Sequence, residues 1–295
     1  RQMCIRDRSS QDYSTIGGNI ANNSAGPRAI KYGTPRDNIL GLEFISGTGE
    51  IHKTGVKTSK GVVGLDLTRL FVGSEGVLGI LSEATLKILP LNNSVKTFEI
   101  TFETLKSASD MIIMLMTQPI TPYKLEFVDE QSVKLINSIK KNHFEIKTKS
   151  AVLLEIDGDV DFIDIQSKKL LKLMQSKEHK KITIAENKIE IAELWKARKS
   201  LSPALKEIGG YKINEDIAVP ISNLTRLLNN LSTISKKYGV RIVNFGHAGN
   251  GNIHVNLIFD TIKEKNSENS KNCLEEIFDL VLDLNGTISG EHGIG

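Results

Sequence analysis

Apolar and polar positions change their spacing at about residue 93. Before it, short apolar runs at 39–45 and 80–89 alternate with glycines and read as strands bounded by turns. Thr48-Gly49 lies between two such runs, so LEFISGTGEIHKTG predicts a strand–turn–strand unit. Residues 66–71 predict a short helix or turn leading into Gly73-Ser74-Glu75-Gly76, and Pro90 with Asn92-Asn93 breaks the pattern. Beyond the break, strand-like runs fall at 96–102, 124–127, 151–156, 181–185, 213–219 and 240–244. Helical runs fall at 107–117, 132–140, 163–174, 189–199, 224–237 and 273–283. In the fifth, Leu224, Leu227, Leu228, Leu231 and Ile234 form one apolar stripe. This order predicts an α+β layer of helices on a mostly antiparallel sheet. The polar stretch 260–271 is expected to be a surface loop, and no internal repeat of solenoid length is visible.

Composition narrows the class. Of 295 residues, 39% are hydrophobic and 25% charged, the mix of a soluble globular protein. There is no run of 18 apolar residues to cross a membrane. With 24 Gly, 7 Pro and 2 Cys, collagen-like and disulfide-scaffold readings fail. A net charge of +3 is too small to argue for nucleic acid. The two cysteines lack metal-site spacing, which predicts a reducing, cytoplasmic setting. Residues 1–10 carry three of the few arginines (Arg1, Arg6, Arg8) and no periodicity, and are expected to be a non-native head. Gly295 ends the chain inside a glycine-rich motif, so the sequence reads as a fragment cut at both ends.

The chemistry gathers near the C-terminus, where three of the six histidines fall in two glycine-rich segments. The first is NFGHAGNGNIHVNL, with His247 and His254 seven positions apart. That spacing is about 10 Å along a helix or more than about 20 Å along a strand, too far for one ion. A tight turn at Gly249-Asn250-Gly251 would fold the chain back and bring the imidazoles together. His254 and Asn256 alternate with Ile253, Val255 and Leu257, so they share a polar strand face. The second segment is GTISGEHGIG. Two His and one Glu (His247, His254, Glu291) are the ligand set of a catalytic divalent metal with open positions, leaving His292 as an acid/base group near neutral pH. Taken singly, each His is more often a hydrogen-bonded structural residue than a ligand, and a Gly/Asn hairpin is commonly just a turn.

Other candidates are weaker alone. Arg198 and Ser202 are four apart and share a face if their helix runs on; Arg is the natural clamp for a carboxylate. Ser202-Pro203 also reads as the N-cap and first residue of a fresh helix. The alternating 212–217 stretch puts polar side chains on one strand face, which a solvated edge would also explain. Gly17-Gly18-Asn19-Ile20-Ala21-Asn22-Asn23-Ser24-Ala25-Gly26 is a small-residue loop able to approach a phosphate or flavin edge, without dinucleotide-fingerprint or P-loop spacing.

Four ordered motifs, GGNIANNSAGPRAIKYG, DLTRLFVGSEGVLGILSEATLKILP, NFGHAGNGNIHVNL and GTISGEHGIG, resemble the FAD-linked D-2-hydroxyacid dehydrogenase family. That family includes cytochrome- or quinone-type D-lactate dehydrogenases, glycolate oxidase flavin subunits and D-2-hydroxyglutarate dehydrogenases. The resemblance runs from about Ile16 to Gly295. It implies the second half of a vanillyl-alcohol-oxidase-like FAD domain over 11–92 and a ferredoxin-like α+β substrate (cap) domain over 93–295, truncated at its C-terminus. It places Gly17, Gly18, Asn22, Gly26, Tyr32, Gly33, Glu75, Gly76, Gly79 and Ile80 beside FAD. His247, His254 and Glu291 inherit a divalent metal (Zn, Mn or Fe), and His292 the base. Arg198 inherits the substrate carboxylate, Asn256 a polar contact to substrate and Ser202 a hydroxyl near it.

Two departures stand out. Asn250 replaces a usual Asp, which would weaken support for the histidines. No counterpart is evident for the lysine that some members use for a diacid, which argues against a five-carbon diacid.

The implied reaction is oxidation of a D-2-hydroxy acid, D-lactate or glycolate, to the 2-oxo acid. Electrons would pass to a quinone, cytochrome or iron–sulfur partner, with peripheral association at the inner face of the membrane an option. D-2-hydroxyglutarate oxidation is the alternative within the family. A metal-dependent hydrolase or a catalytically inactive fragment are the alternatives outside it.

Overall fold

Two units divide the chain, 1–91 with 290–295, and 92–289. The computed structural model describes residues 14–58, 60–185, 187–208 and 210–294, so the expected head and Gly295 lie outside the described residues.

The first unit contains helices α1 (Ile16–Ala21), α2 (Ala29–Tyr32), α3 (Pro35–Asn38) and α4 (Leu67–Phe71), with strands β1 (Ile39–Ile45), β2 (Ile51–Gly55) and β3 (Ile80–Leu86). The expected hairpin forms: β1 and β2 pair antiparallel with Ile45 opposite Ile51, and β3 adds to the other side of β1. Alternate β1 side chains Leu42 and Phe44 enter a small core with Ile20, Ile39, Phe71 and Val72, where the Phe44 and Phe71 rings stack at 3.8 Å. The small-residue stretch read as a loop from Gly17 instead starts as helix α1. Thr15 caps it by accepting from Gly18 N at 3.0 Å, a local signal that outweighs two glycines.

The second unit contains β4 (Ser94–Phe102), α5 (Leu105–Thr117), β5 (Lys124–Val128), α6 (Glu130–Ile139), β6 (Ser150–Gly158), α7 (Val160–Gln175) and β7 (Lys181–Ala185). It continues with α8 (Lys188–Lys199), α9 (Leu201–Ile208), β8 (Tyr211–Ala218), α10 (Leu224–Tyr238), β9 (Arg241–Gly246), β10 (Asn252–Phe259), α11 (Ile262–Lys265) and α12 (Glu268–Asp283). Helix starts sit two or three residues ahead of the apolar stripes because Thr104, Asp129 and Asp159 cap α5, α6 and α7. The stretch expected as a loop at 260–271 holds α11 and the first turn of α12. Thr261 and Ser267 cap these helices, and polarity there marks an exposed helix surface.

The seven strands are ordered β7-β4-β6-β5-β9-β10-β8, with every named pair antiparallel. Strands β4 to β7 lie in the 4-1-3-2 strand order of a ferredoxin-like sheet, with helix α6 added in the connection from β5 to β6. Strands β8, β9 and β10 repeat the order of β4, β5 and β6, and Thr287 and Ser289 bridge to β8 where β7 borders β4. The unit thus holds two three-strand sets of the same spatial order that meet at β5 and β9.

Register separates the sheet into two faces. Phe98, Ile100, Phe102, Val152, Leu154, Leu125, Phe127, Ile253, Val255 and Leu257 share one, all at most 1% exposed. Leu105 of α5 and Leu228 and Leu231 of α10 lie beside Ile242 of that face. The opposite face carries Glu99, Lys124, Glu126, Glu155, Asp216, His254 and Asn256 among the apolar side chains of α6, α8 and α9. Among the described residues no helix is long and apolar enough to cross a membrane. Leu231 is fully buried. Leu231→Ala is expected to lower stability by about 3 kcal/mol, read from urea unfolding.

Candidate active site

A charged residue in the middle of an apolar strand needs a partner. On β5, Glu126 is 2% exposed. One of its oxygens accepts from Arg198 Nη2 at 2.7 Å, and the other meets His247 Nδ1 in a short contact. Burial pushes the Glu126 carboxyl up, but His247 and Arg198 outweigh it and hold it at about 2. Sheet register explains the pairing: Phe127 lies opposite Gly246, so the next step places Glu126 across from His247.

The turn expected at Gly249-Asn250-Gly251 is present. Gly251 has φ +70, and a Cβ there would stand 1.9 Å from the Val219 carbonyl oxygen, so only glycine fits. The hairpin brings the His247 and His254 rings to 5.2 Å, edge to face. His254 Nδ1 lies 3.4 Å from Asp216 Oδ1, and Asn252 Nδ2 donates to the same Asp216 oxygen at 2.7 Å. Each imidazole therefore has a carboxylate at Nδ1, the arrangement that presents Nε2 to a metal. The residues present fit a divalent cation on that ground.

Several expectations change here. Asn250 is exposed in the turn, so support for the histidines comes from Glu126 and Asp216 and not from position 250. The 212–217 face, for which a solvated edge was one of two readings, buries Asp216 to 3% exposure, because β8 lies against β10 with Asp216 opposite His254. Helix α9 starts at Leu201, so Ser202 and Pro203 stand within its first turn instead of capping it, and Ser202 is exposed. Asn256 is 1% exposed; its amide donates to Val243 O at 3.1 Å and accepts from Asn214 Nδ2 at 2.8 Å.

Arg198 is not a surface residue. Its guanidinium carbon is 4.5 Å from the Phe245 ring centroid, and its buried Nε has no hydrogen-bond partner among the described residues. Trp195, one turn earlier on α8, donates to Glu155 Oε2 at 2.7 Å, and Lys124 holds the other Glu155 oxygen at 3.0 Å. Glu126 and Glu155 escaped the sequence reading, and Asp216 entered it only as one residue of the 212–217 face. A carboxylate inside an otherwise apolar strand, as in KLEFV, was the available signal for Glu126.

In the first unit the two glycine-rich segments run side by side: Gly73 N donates to Ile20 O at 3.0 Å and Glu75 N to Ala21 O at 2.8 Å. Gly17, Gly18, Asn22 and Gly76 are exposed, and a Cβ on Gly17 or Gly76 would meet nothing within 4 Å. Gly79 precedes β3 and Ile80 opens it, with Ile80 71% and Val77 84% exposed. Open backbone beside uncovered apolar side chains fits the edge of a flavin ring. Gly26 O and Tyr32 O accept from Ala29 N and Asn38 Nδ2, and Gly33 caps α2. The Glu-His-Gly segment belongs to this unit: Ser24 Oγ donates to Glu291 O at 2.7 Å, and Ile294 N donates to Glu75 Oε1 at 3.2 Å. His292 is exposed, with Nε2 3.9 Å from Glu291 Oε1.

Asp129, which caps α6 and accepts from Asn244 N and Nδ2, is pushed up to about 6 by burial against those hydrogen bonds. The native state then holds its proton more tightly than the unfolded chain does, so stability falls as pH rises from about 4 to about 6. Partial solvent contact reduces the effect to about 2 kcal/mol. Asp129→Asn should flatten this slope in melting temperatures measured across the window.

Residues 91–295 match the family described as FAD linked oxidases, C-terminal domain, and residues 2–55 match an FAD binding domain. The glycolate oxidase subunit GlcD of Bacillus subtilis is 37% identical over 289 residues, 98% of this chain and 62% of that protein. The mitochondrial D-lactate dehydrogenase [cytochrome] of Arabidopsis thaliana is 30% identical over 285 residues, 96% of this chain and 50% of that protein. The chain therefore spans between half and two thirds of these relatives. Among solved structures, alkyldihydroxyacetonephosphate synthase superposes with a TM-score of 0.72 at 18% identity, covering 97% of this chain and 55% of that one. p-Cresol methylhydroxylase does so at 0.66 and 14%, covering 92% and 60%. These likenesses show the expected vanillyl-alcohol-oxidase-like α+β fold, and with a family match across more than half its length the chain belongs to the FAD-linked oxidases.

Proposed function

We propose that the protein containing this chain oxidises a D-2-hydroxy acid, D-lactate or glycolate, to the 2-oxo acid. The observation that carries this is the pair of imidazoles, each with a carboxylate at Nδ1, in a chain of the FAD-linked oxidase family. The printed activities of the relatives support the substrate class. When bound, FAD would supply a two-electron acceptor and a divalent cation a Lewis acid toward the α-hydroxyl oxygen.

The chain's residues have separable tasks. Gly17, Gly18, Asn22, Gly26, Tyr32, Gly33, Glu75, Gly76, Gly79 and Ile80 hold the flavin. His247 and His254 hold the cation through imidazole nitrogens, and the family resemblance assigns a third, carboxylate ligand to Glu291. Arg198 takes the substrate carboxylate with donors not engaged by Glu126, its Nε–H included. Asn256 orders the strand beneath, and Ser202 lies in the turn after Arg198. His292 receives the α-hydroxyl proton on an imidazole nitrogen as the α-hydrogen leaves with its electron pair. A quinone, cytochrome or iron–sulfur partner takes the electrons onward, in the cytoplasm or at the membrane's inner face.

In the full-length protein, a panel of 2-hydroxy acids with a dye acceptor should show turnover of D-lactate or glycolate that chelator abolishes and a divalent cation restores. A flavin-loaded protein inactive on every 2-hydroxy acid would end this reading. His292→Ala should lower kcat by about 100- to 10,000-fold with flavin content unchanged; near-normal flavin reduction by substrate would remove His292 from the role.

A further inference from the structure

We infer that Glu126 is a positioning residue that sets a metal-ligating imidazole and the substrate-binding guanidinium together through its two oxygens. This rests on the proposed roles of His247 and Arg198. Glu126 projects from β5 into the polar face of the sheet, where one oxygen faces His247 Nδ1 and the other lies 2.7 Å from Arg198 Nη2. A carboxylate offers two acceptor atoms and no donor, so it can receive both N–H groups at once. A glutamine of the same length offers one acceptor and turns an NH2 group toward the other partner, and an aspartate is one methylene too short to span both.

Two consequences follow for the site. Contact with Glu126 holds the proton of His247 on Nδ1, so that Nε2 is the nitrogen that carries the lone pair. The same contact fixes one edge of the Arg198 guanidinium, while the Phe245 ring at 4.5 Å fixes its plane. Trp195, bonded to Glu155 at 2.7 Å, anchors α8 one turn before Arg198. With edge, plane and helix set, the buried Nε–H of Arg198 has a defined direction. Displacing one carboxylate would therefore disturb a cation ligand and an anion clamp in the same step, although Glu126 need touch neither metal nor substrate.

The test compares the full-length wild type with Glu126→Gln. Histidine 15N chemical shifts in chelator-treated protein report the tautomer without any metal or turnover. The expected result is a single Nδ1–H tautomer at His247 in the wild type and a mixture or the other tautomer in the variant. Calorimetric titration with Mn2+ is expected to show affinity lowered by about 10- to 100-fold in the variant, and KM for the hydroxy acid raised, with an unchanged flavin spectrum. An Nε2–H tautomer at His247 in the wild type would overturn the inference, and that measurement stands even if the variant does not fold. Equal Mn2+ affinity and equal KM in the two proteins would also overturn it. A wild type with the Nδ1–H tautomer and no Mn2+ uptake would reject the metal reading of the preceding section and leave the orienting role of Glu126 standing.

Discussion

A carboxylate removed from water must be met by charge or by donors, or the fold loses several kcal/mol. Glu126 is met from two directions, by Arg198 of α8 and by the imidazole that follows β9, and these contacts tie three distant stretches of chain into one polar cluster. Glu155 repeats the solution a little further along the same face with Lys124, Thr97 and Trp195. Removing one partner would strand a buried charge, so the cluster constrains how β5, α8 and the β9–β10 hairpin can move relative to one another. The opposite face of the sheet is filled mainly by phenylalanine, leucine, isoleucine and valine.

The repeated strand order supplies the frame for this cluster. The sets β4-β6-β5 and β9-β10-β8 meet at β5 and β9, and the junction is where Glu126 and His247 stand across from each other. An antiparallel junction between equivalent strands brings the end of one toward the start of the other. Short strands such as β5 and β9 can therefore deliver a carboxylate and an imidazole from sequence positions more than a hundred residues apart. The β9–β10 hairpin then adds the second imidazole, and β8 adds Asp216 beside it.

The first unit uses backbone where the second uses side chains. Its two glycine-rich segments are joined by main-chain hydrogen bonds from Gly73 and Glu75, and the open backbone they leave is suited to a flat ligand. Ser24 and Glu75 also hold the Glu-His-Gly segment, so that motif is ordered by the same loops that would meet the flavin. Family membership rests on the match over 91–295, and the chain spans 62% of the length of the Bacillus subtilis glycolate oxidase subunit.

Local signals were legible in the sequence. The stripe of Leu224 to Ile234, the Thr48-Gly49 hairpin and the Gly249–Gly251 turn each depend on a few adjacent residues, and each appears in the structure. The motifs that carry the family resemblance were legible for the same reason, being short and contiguous. The helices in 260–271 were missed because capping by Thr261 and Ser267 outweighed the polarity of that stretch. Tertiary structure alone decided that Glu126 and Asp216 would stand behind the two histidines and that Asn250 would face solvent. Sequence periodicity tells which face of a strand a side chain occupies; strand order and register determine what lies across from it, and those depend on pairings between residues far apart in the chain.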